Sequence, residues 1–169
     1  ELPAYDPRGA MGHALGYATS NRGGCHLVGY LAAMEIFAAP KKIPRQTTGG
    51  KADLLVLKQH QSVIEDSLVV CKFVGWAIGF DFNTRYMTDV TGMDFNIPKL
   101  MHIGERVYNL ERLYNLREGI SGTEDTLPPR FINESLPAGY TKGMLVPIKS
   151  MLEDYYNVRK WDKFGIPTA

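Results

Sequence analysis

The strongest constraint on how this chain folds lies in residues 51–74. Leu54, Leu55, Leu57, Val63, Ile64, Leu68, Cys71 and Val74 recur there at intervals of three and four, the spacing that lines one face of an α-helix. The pattern predicts a single long helix with a buried stripe. It also puts Glu65, Asp66 and Ser67 in the middle of that stripe, where a polar group needs a partner. Residues 9–19 mix small and apolar side chains with Gly12 and Gly16, which reads as a short, closely packed helix although each glycine costs about 1 kcal/mol of helicity relative to alanine. Residues 25–39 read as another helix ending at Pro40, followed by an extended connector over 41–48 that carries Pro44. Further on, Thr91-Gly92 marks a turn and Pro98 suits a first helical turn. Leu100, Ile103, Val107, Leu110 and Tyr114 share one face, and Gly119 ends that helix. Ile148, Met151, Leu152, Tyr155 and Tyr156 restore helical spacing before Trp161. Between these last two helices, residues 120–147 hold four prolines and three glycines, which excludes a long helix or strand and leaves a wrapping arm or a loop. No convincing period-2 strand and no repeat occurs. The expected fold class is therefore all-α: a multihelical, irregular helical domain with a Pro/Gly-rich wrapping segment near the C-terminus.

A chain of 169 residues fits one domain, large enough to bury roughly 70% of its unfolded surface. Nineteen Lys and Arg against eighteen Asp and Glu give a net charge of +1, and the basic residues are scattered. That balance argues against nucleic acid or a polybasic membrane contact as partner. The longest apolar runs, 27–40 and 67–80, fall short of the ~20 residues a bilayer requires and are interrupted by Glu35 and Lys72. The chain shows no signal or transit segment and opens at Glu1 without an initiator Met, so processing, an expression boundary or a fragment of a larger protein is expected. Its two cysteines, Cys25 and Cys71, lack paired spacing. This excludes a disulfide framework or a self-contained zinc site, makes reduced thiols the default and leaves one ordinary disulfide open.

Several local motifs fail on inspection. Gly49-Gly50-Lys51 looks like part of a phosphate loop, but Arg45 stands where the first Gly belongs and Ala52 replaces the magnesium-binding Ser/Thr. His102 and Glu105 have the reach of half a metal site without facing ligands, and Glu105 and Arg106 are expected to pair internally. Asp81, Asn83 and Arg85 lack the Gly and the twelfth-position Glu of a calcium loop and read as a turn. Two segments ask for more. Asn21-Arg22-Gly23-Gly24-Cys25-His26 combines exposed backbone N–H groups, a guanidinium and an imidazole, a combination suited to an anionic or polarised group or, more plainly, to a turn with a satisfied histidine. Asp66 to Cys71 sets a carboxylate and a thiol five apart in a buried pattern. Ring N–H donors of a cofactor would satisfy that acid, and a helix-bending polar pair beside an inert core thiol is the plainer account.

These segments, together with Thr91-Gly92-Met93-Asp94-Phe95, Gly104 to Arg112 and Leu116-Arg117-Glu118-Gly119, occur in an order that resembles the C-terminal region of the tungsten-containing aldehyde:ferredoxin oxidoreductase family. The likeness runs through Asp125-Thr126-Leu127-Pro128 to the tail after Tyr155-Tyr156. It implies a cytoplasmic enzyme of an anaerobe that holds tungsten, or molybdenum, through two pterin (molybdopterin-type) cofactors beside a [4Fe-4S] cluster. Such an enzyme oxidises an aldehyde to a carboxylic acid and passes electrons to ferredoxin. Residue by residue, the resemblance implies that Cys71 is the fourth cluster ligand, the other three lying in a Cys-x-x-Cys-x-x-x-Cys run that this chain lacks. Asp66 would accept hydrogen bonds from a pterin ring, Val70 would approach the same cofactor through its main chain, and His26 would be the catalytic imidazole near the metal. The family pattern commonly has Gly and Leu where Val69 and Val70 stand, and some members carry a Lys at the position of Val28. Arg22 is expected to make up for that missing charge. On this reading the fragment by itself is inactive, since a cubane needs four thiolates. Its partners are the remaining domains of the same enzyme, ferredoxin and a small aldehyde, and a homo-oligomer is compatible. The rival readings are the same family acting on another substrate, through aromatic thioester reduction or sugar aldehyde oxidation, and a non-catalytic helical interaction module with Cys25, His26 and Cys71 in its core.

Overall fold

The computed structural model describes residues 5–168, and among these the regular elements are helical. Seven α-helices follow in order: α1 Met11–Thr19, α2 Ala32–Glu35, α3 Lys51–Ser67, α4 Phe80–Thr91, α5 Ile97–Arg117, α6 Pro129–Asn133 and α7 Ile148–Arg159. The all-α, multihelical expectation holds. The helix α3 is central and packs against α1, α5 and α7. The closest approach is to α5, where Gly104 lies so near His60 that a Cβ there would sit 2.9 Å from the His60 carbonyl oxygen. Only a glycine lets the two backbones meet at that distance.

Several polar side chains inside this bundle find partners, although both ring nitrogens of the buried His13 have no hydrogen-bond partner among the described residues. The Tyr108 hydroxyl donates to the Thr19 carbonyl at 2.7 Å. Arg159 donates to Tyr155 Oη at 3.0 Å and Gln59 Oε1 at 2.6 Å, while its guanidinium lies 4.0 Å from the centre of the Tyr108 ring. The Pro/Gly-rich segment is an ordered wrapping arm. Arg112 of α5 forks onto Asp125 at 2.8 and 2.6 Å and also donates to the Gly165 carbonyl, binding arm and tail to the same helix. Bidentate pairing of this kind fixes geometry as well as contributing energy.

Three expected elements differ. Residues 25–39 do not form one helix; only α2 is helical, because Gly29 adopts φ +74° and lies flat against α3, where a Cβ would sit 2.6 Å from Leu55 Cδ1. Asp81, Asn83 and Arg85 belong to α4 rather than to a turn. The long helix stops at Ser67 instead of reaching Val74. Val69 takes the left-handed conformation (φ +56°), the Val70 N–H reaches back to the Glu65 carbonyl at 2.8 Å and the Val69 N–H to the Asp66 carbonyl at 3.1 Å. This is a Schellman stop with valine at the position that glycine normally occupies. The same double bond pattern closes α5, there with Gly119 (φ +91°), as the spacing predicted.

Candidate functional site

The Schellman stop sets the site, because it turns the chain out of α3 just after Asp66 and delivers residues 68–75 as a loop folded back over the helix. Asp66 and Cys71 are exposed in this arrangement. Both therefore differ from the expectation of a buried stripe, and the buried acid is Glu65, whose side chain is 5% exposed. Glu65 Oε1 accepts from Gln61 Nε2 at 2.9 Å, and Lys72 Nζ stands 3.7 Å from its Oε2. Burial pushes this carboxyl above the usual range against the pull of Lys72 and Gln61. The third polar residue of the stripe is also accounted for: the Ser67 hydroxyl donates to the Val63 carbonyl.

Asp66 has two cationic neighbours, Lys72 Nζ at 3.0 Å and Arg22 Nη1 at 3.7 Å. Arg22 comes from the loop after α1 and also donates through Nε to Cys25 Sγ at 3.4 Å. Burial raises the Cys25 thiol pKa, but the Leu27 N–H, the Arg22 guanidinium and the Val28 N–H outweigh it, and the thiol ends below its ordinary value. Both cysteines are free thiols, which closes the question of a disulfide. Arg22 and Asp66 border one cleft of about 400 Å³ whose apolar wall includes Val28, Val63, Val107 and Leu110. The structure thus brings Arg22, Asp66 and the buried Val28 to one cleft.

Val70 is half-buried, and its N–H is committed to Glu65, which leaves the carbonyl as the main-chain group it can offer. His26 is half-buried against Tyr5 and Tyr30, with ring centres 6.2 and 6.4 Å apart. Among the described residues no hydrogen bond, ion pair or ring contact joins it to Asp66 or Cys71. Below it His13 is buried, and its pKa falls to about 3, first because of burial and second because of the neighbouring His26. The loop 21–26 and the end of α3 are joined through Arg22, while His26 packs against Tyr5 and Tyr30.

The discarded motifs stay discarded. Lys51 turns inward to Glu35, so the Gly-Gly-Lys segment presents no amine to a phosphate. His102 and Glu105 sit 3.8 Å apart on the surface, and no ion pair between Glu105 and Arg106 occurs among the described residues. Nor does any group of three or more His, Cys, Asp or Glu side chains there meet as a metal site. A single exposed thiol fits the role of one ligand to a centre completed by other polypeptide, and does not fit a self-contained centre. An exposed carboxylate beside two cations at the mouth of a partly apolar cleft likewise fits ring N–H donors and an anionic tail. No helix among the described residues is long and apolar enough to cross a membrane.

Sequence reasoning missed Glu65, Gln61 and Lys72 as a group. Their only signal was a charged residue inside an apolar stripe, which does not tell which neighbour will pair with it.

The chain is 44% identical over 167 residues to the tungsten-containing aldehyde ferredoxin oxidoreductases of Pyrococcus horikoshii, Pyrococcus furiosus and Thermococcus kodakarensis. The alignments cover 98% of this chain and 28% of each relative, so the chain spans little more than a quarter of their length. Residues 1–169 match the family described as aldehyde ferredoxin oxidoreductase, domains 2 and 3, and the chain belongs to that family.

Proposed function

We propose that the chain is the C-terminal helical domain of a tungsten- or molybdenum-dependent aldehyde:ferredoxin oxidoreductase, and that the end of α3 with the Arg22–His26 loop is its share of the active site. The observation that carries this reading is that an exposed carboxylate, Asp66, on the last turn of α3 and an exposed thiol, Cys71, on the loop that follows both face away from the bundle. A non-catalytic bundle would be expected to keep Cys71 in its core, and its exposure speaks against that rival.

When bound, the pterin-held metal and the [4Fe-4S] cluster supply the two-electron oxidation of an aldehyde and the one-electron steps towards ferredoxin. Asp66 accepts hydrogen bonds from pterin ring N–H groups, and the Val70 carbonyl offers a further acceptor. Arg22 brings positive charge to the cleft where Val28 has none. Cys71 provides one thiolate to the cluster, the other ligands coming from polypeptide outside this chain. His26 donates a ring N–H to the aldehyde oxygen or accepts a proton from water through its other ring nitrogen. Tyr5 and Tyr30 pack tilted and edge-on against its ring, with centres 6.2 and 6.4 Å away.

In the intact enzyme, His26→Asn is expected to cut turnover by ~10² to 10⁴ while tungsten content stays unchanged. Unchanged turnover would remove the role. Arg22→Ala is expected to lower cofactor content, and normal content would show that Arg22 is not the replacement charge. An intact protein devoid of both iron and tungsten would refute the reading as a whole.

A further inference from the structure

The loop that carries Cys71 is tied to α3 at its start, middle and end, and all three ties converge on Glu65. At the start, the Val70 N–H donates to the Glu65 main-chain carbonyl at 2.8 Å. In the middle, Lys72, only 13% exposed, turns in beneath the loop while its neighbour Cys71 faces solvent. Lys72 Nζ donates to the Ser62 carbonyl and stands 3.0 Å from Asp66 and 3.7 Å from Glu65. At the end, Gln61 Nε2 bridges Glu65 Oε1 (2.9 Å) and the Gly75 carbonyl (3.1 Å). Gly75 is pressed onto the carboxyl so closely that a Cβ would sit 2.1 Å from Glu65 Oε1. The Glu65 side chain therefore fills the inside of the loop, and its oxygens are spent on Gln61 and Lys72.

We propose that Glu65, acting with Gln61 and Lys72, is a positioning residue for the iron–sulfur centre: it holds residues 70–75 in a preformed arc that presents the Cys71 thiolate. This rests on the assignment of Cys71 as a cluster ligand. A ligand on a tethered loop loses less conformational freedom when the metal binds, and groups that orient a ligand without touching the metal commonly change metal retention by about 10- to 100-fold when removed. The carboxyl does not touch the cluster; it acts through the backbone on either side of the cysteine.

The test uses the intact holoenzyme, with iron release to a chelator, tungsten content and the paramagnetic spectrum of the reduced cluster as readouts. Glu65→Ala is expected to release iron at least about tenfold faster and to shift the cluster spectrum, with tungsten per chain unchanged. Glu65→Gln keeps the acceptor for Gln61 and should recover most of that factor. Should Glu65→Ala fail to fold, Gly75→Ala carries the same test, because its methyl group must displace the loop from the carboxyl. Iron release at the wild-type rate in both alanine variants overturns the proposal, as does loss of iron and tungsten in step, which would make Glu65 a general stabilising residue. Failure of the underlying assignment looks different: Cys71→Ser would then keep a full complement of iron whatever stands at position 65.

Discussion

At its N-terminal end α3 holds Lys51 against Glu35 with both side chains sealed from solvent, 2% and 0% exposed; at its C-terminal end Asp66 meets Arg22 and Lys72 with its side chain 46% exposed. The sealed end is complete in itself. Glu35 accepts from the Gly12 N–H at 2.8 Å and the His13 N–H at 3.0 Å, capping α1 from a distant point in the chain, and Lys51 completes the set by also donating to the Pro44 carbonyl. A carboxylate at a helix N-terminus satisfies amides that have no partner within the helix and interacts favourably with the helix dipole. At the open end Asp66 keeps nearly half of its side chain in water, where its pairs with Arg22 and with the mostly buried Lys72 contribute little. The two ends use the same residue types differently: one closes the fold, and the other leaves charge and, on the loop that follows it, a thiol facing outward.

That contrast can be broken from the sealed side first. Glu35→Ala strands a buried ammonium and two helix amides and is expected to cost about 3 to 5 kcal/mol, read as a fall in the denaturant midpoint. A loss below 1 kcal/mol would mean that the buried pair is not what closes this end. Acid is next in size. His13 and His60 are each lowered to about 3, by burial first and then by His26 and Arg159 respectively, so the folded chain refuses protons that the unfolded chain accepts between about pH 3 and 6.5. Stability is therefore full above that window and falls as pH drops through it, by up to about 1.4 kcal/mol per pH unit for each histidine. Thermal unfolding at pH 7 and pH 5 checks this: the midpoint should fall in acid, and His13→Phe should flatten the dependence. At the open end the effects are smaller. Val69→Gly relieves a left-handed β-branched residue and is expected to stabilise by about 1 kcal/mol, with the denaturant midpoint rising. Asp66→Asn should change stability by less than about 0.5 kcal/mol while lowering pterin and tungsten content in the intact enzyme, a separation of fold from function that Glu35→Ala cannot show.

The same two ends explain which parts were legible in the sequence. Helices α1, α5 and α7 and the stop at Gly119 followed from apolar spacing and a glycine in its usual place. The stop after Ser67 did not, because Val69 carries no turn signal and Leu68, Cys71 and Val74 happen to continue the spacing beyond the true end of the helix. Helix α4 was hidden for the opposite reason. It buries the polar Asn83 and Thr84 and exposes Phe82, Tyr86 and Val90, so its apolar residues do not mark its packed side in this chain. The site residues Arg22, Asp66, Val70, Cys71 and His26 were reached through resemblance to a family pattern. Geometry then added what a pattern cannot carry: Asp66 is exposed and its neighbour Glu65 is the buried acid, the Val70 amide is already bonded, and Arg22 reaches from its own loop to the end of α3.

The most direct measurement is iron per chain, with the spectrum of the reduced cluster, in the intact enzyme carrying Cys71→Ser beside the same enzyme carrying Cys25→Ser. The exposed thiol at position 71 should prove indispensable, with loss or conversion of the four-iron centre in Cys71→Ser and an unaltered centre in Cys25→Ser. Four irons and an unchanged spectrum in Cys71→Ser would contradict the account.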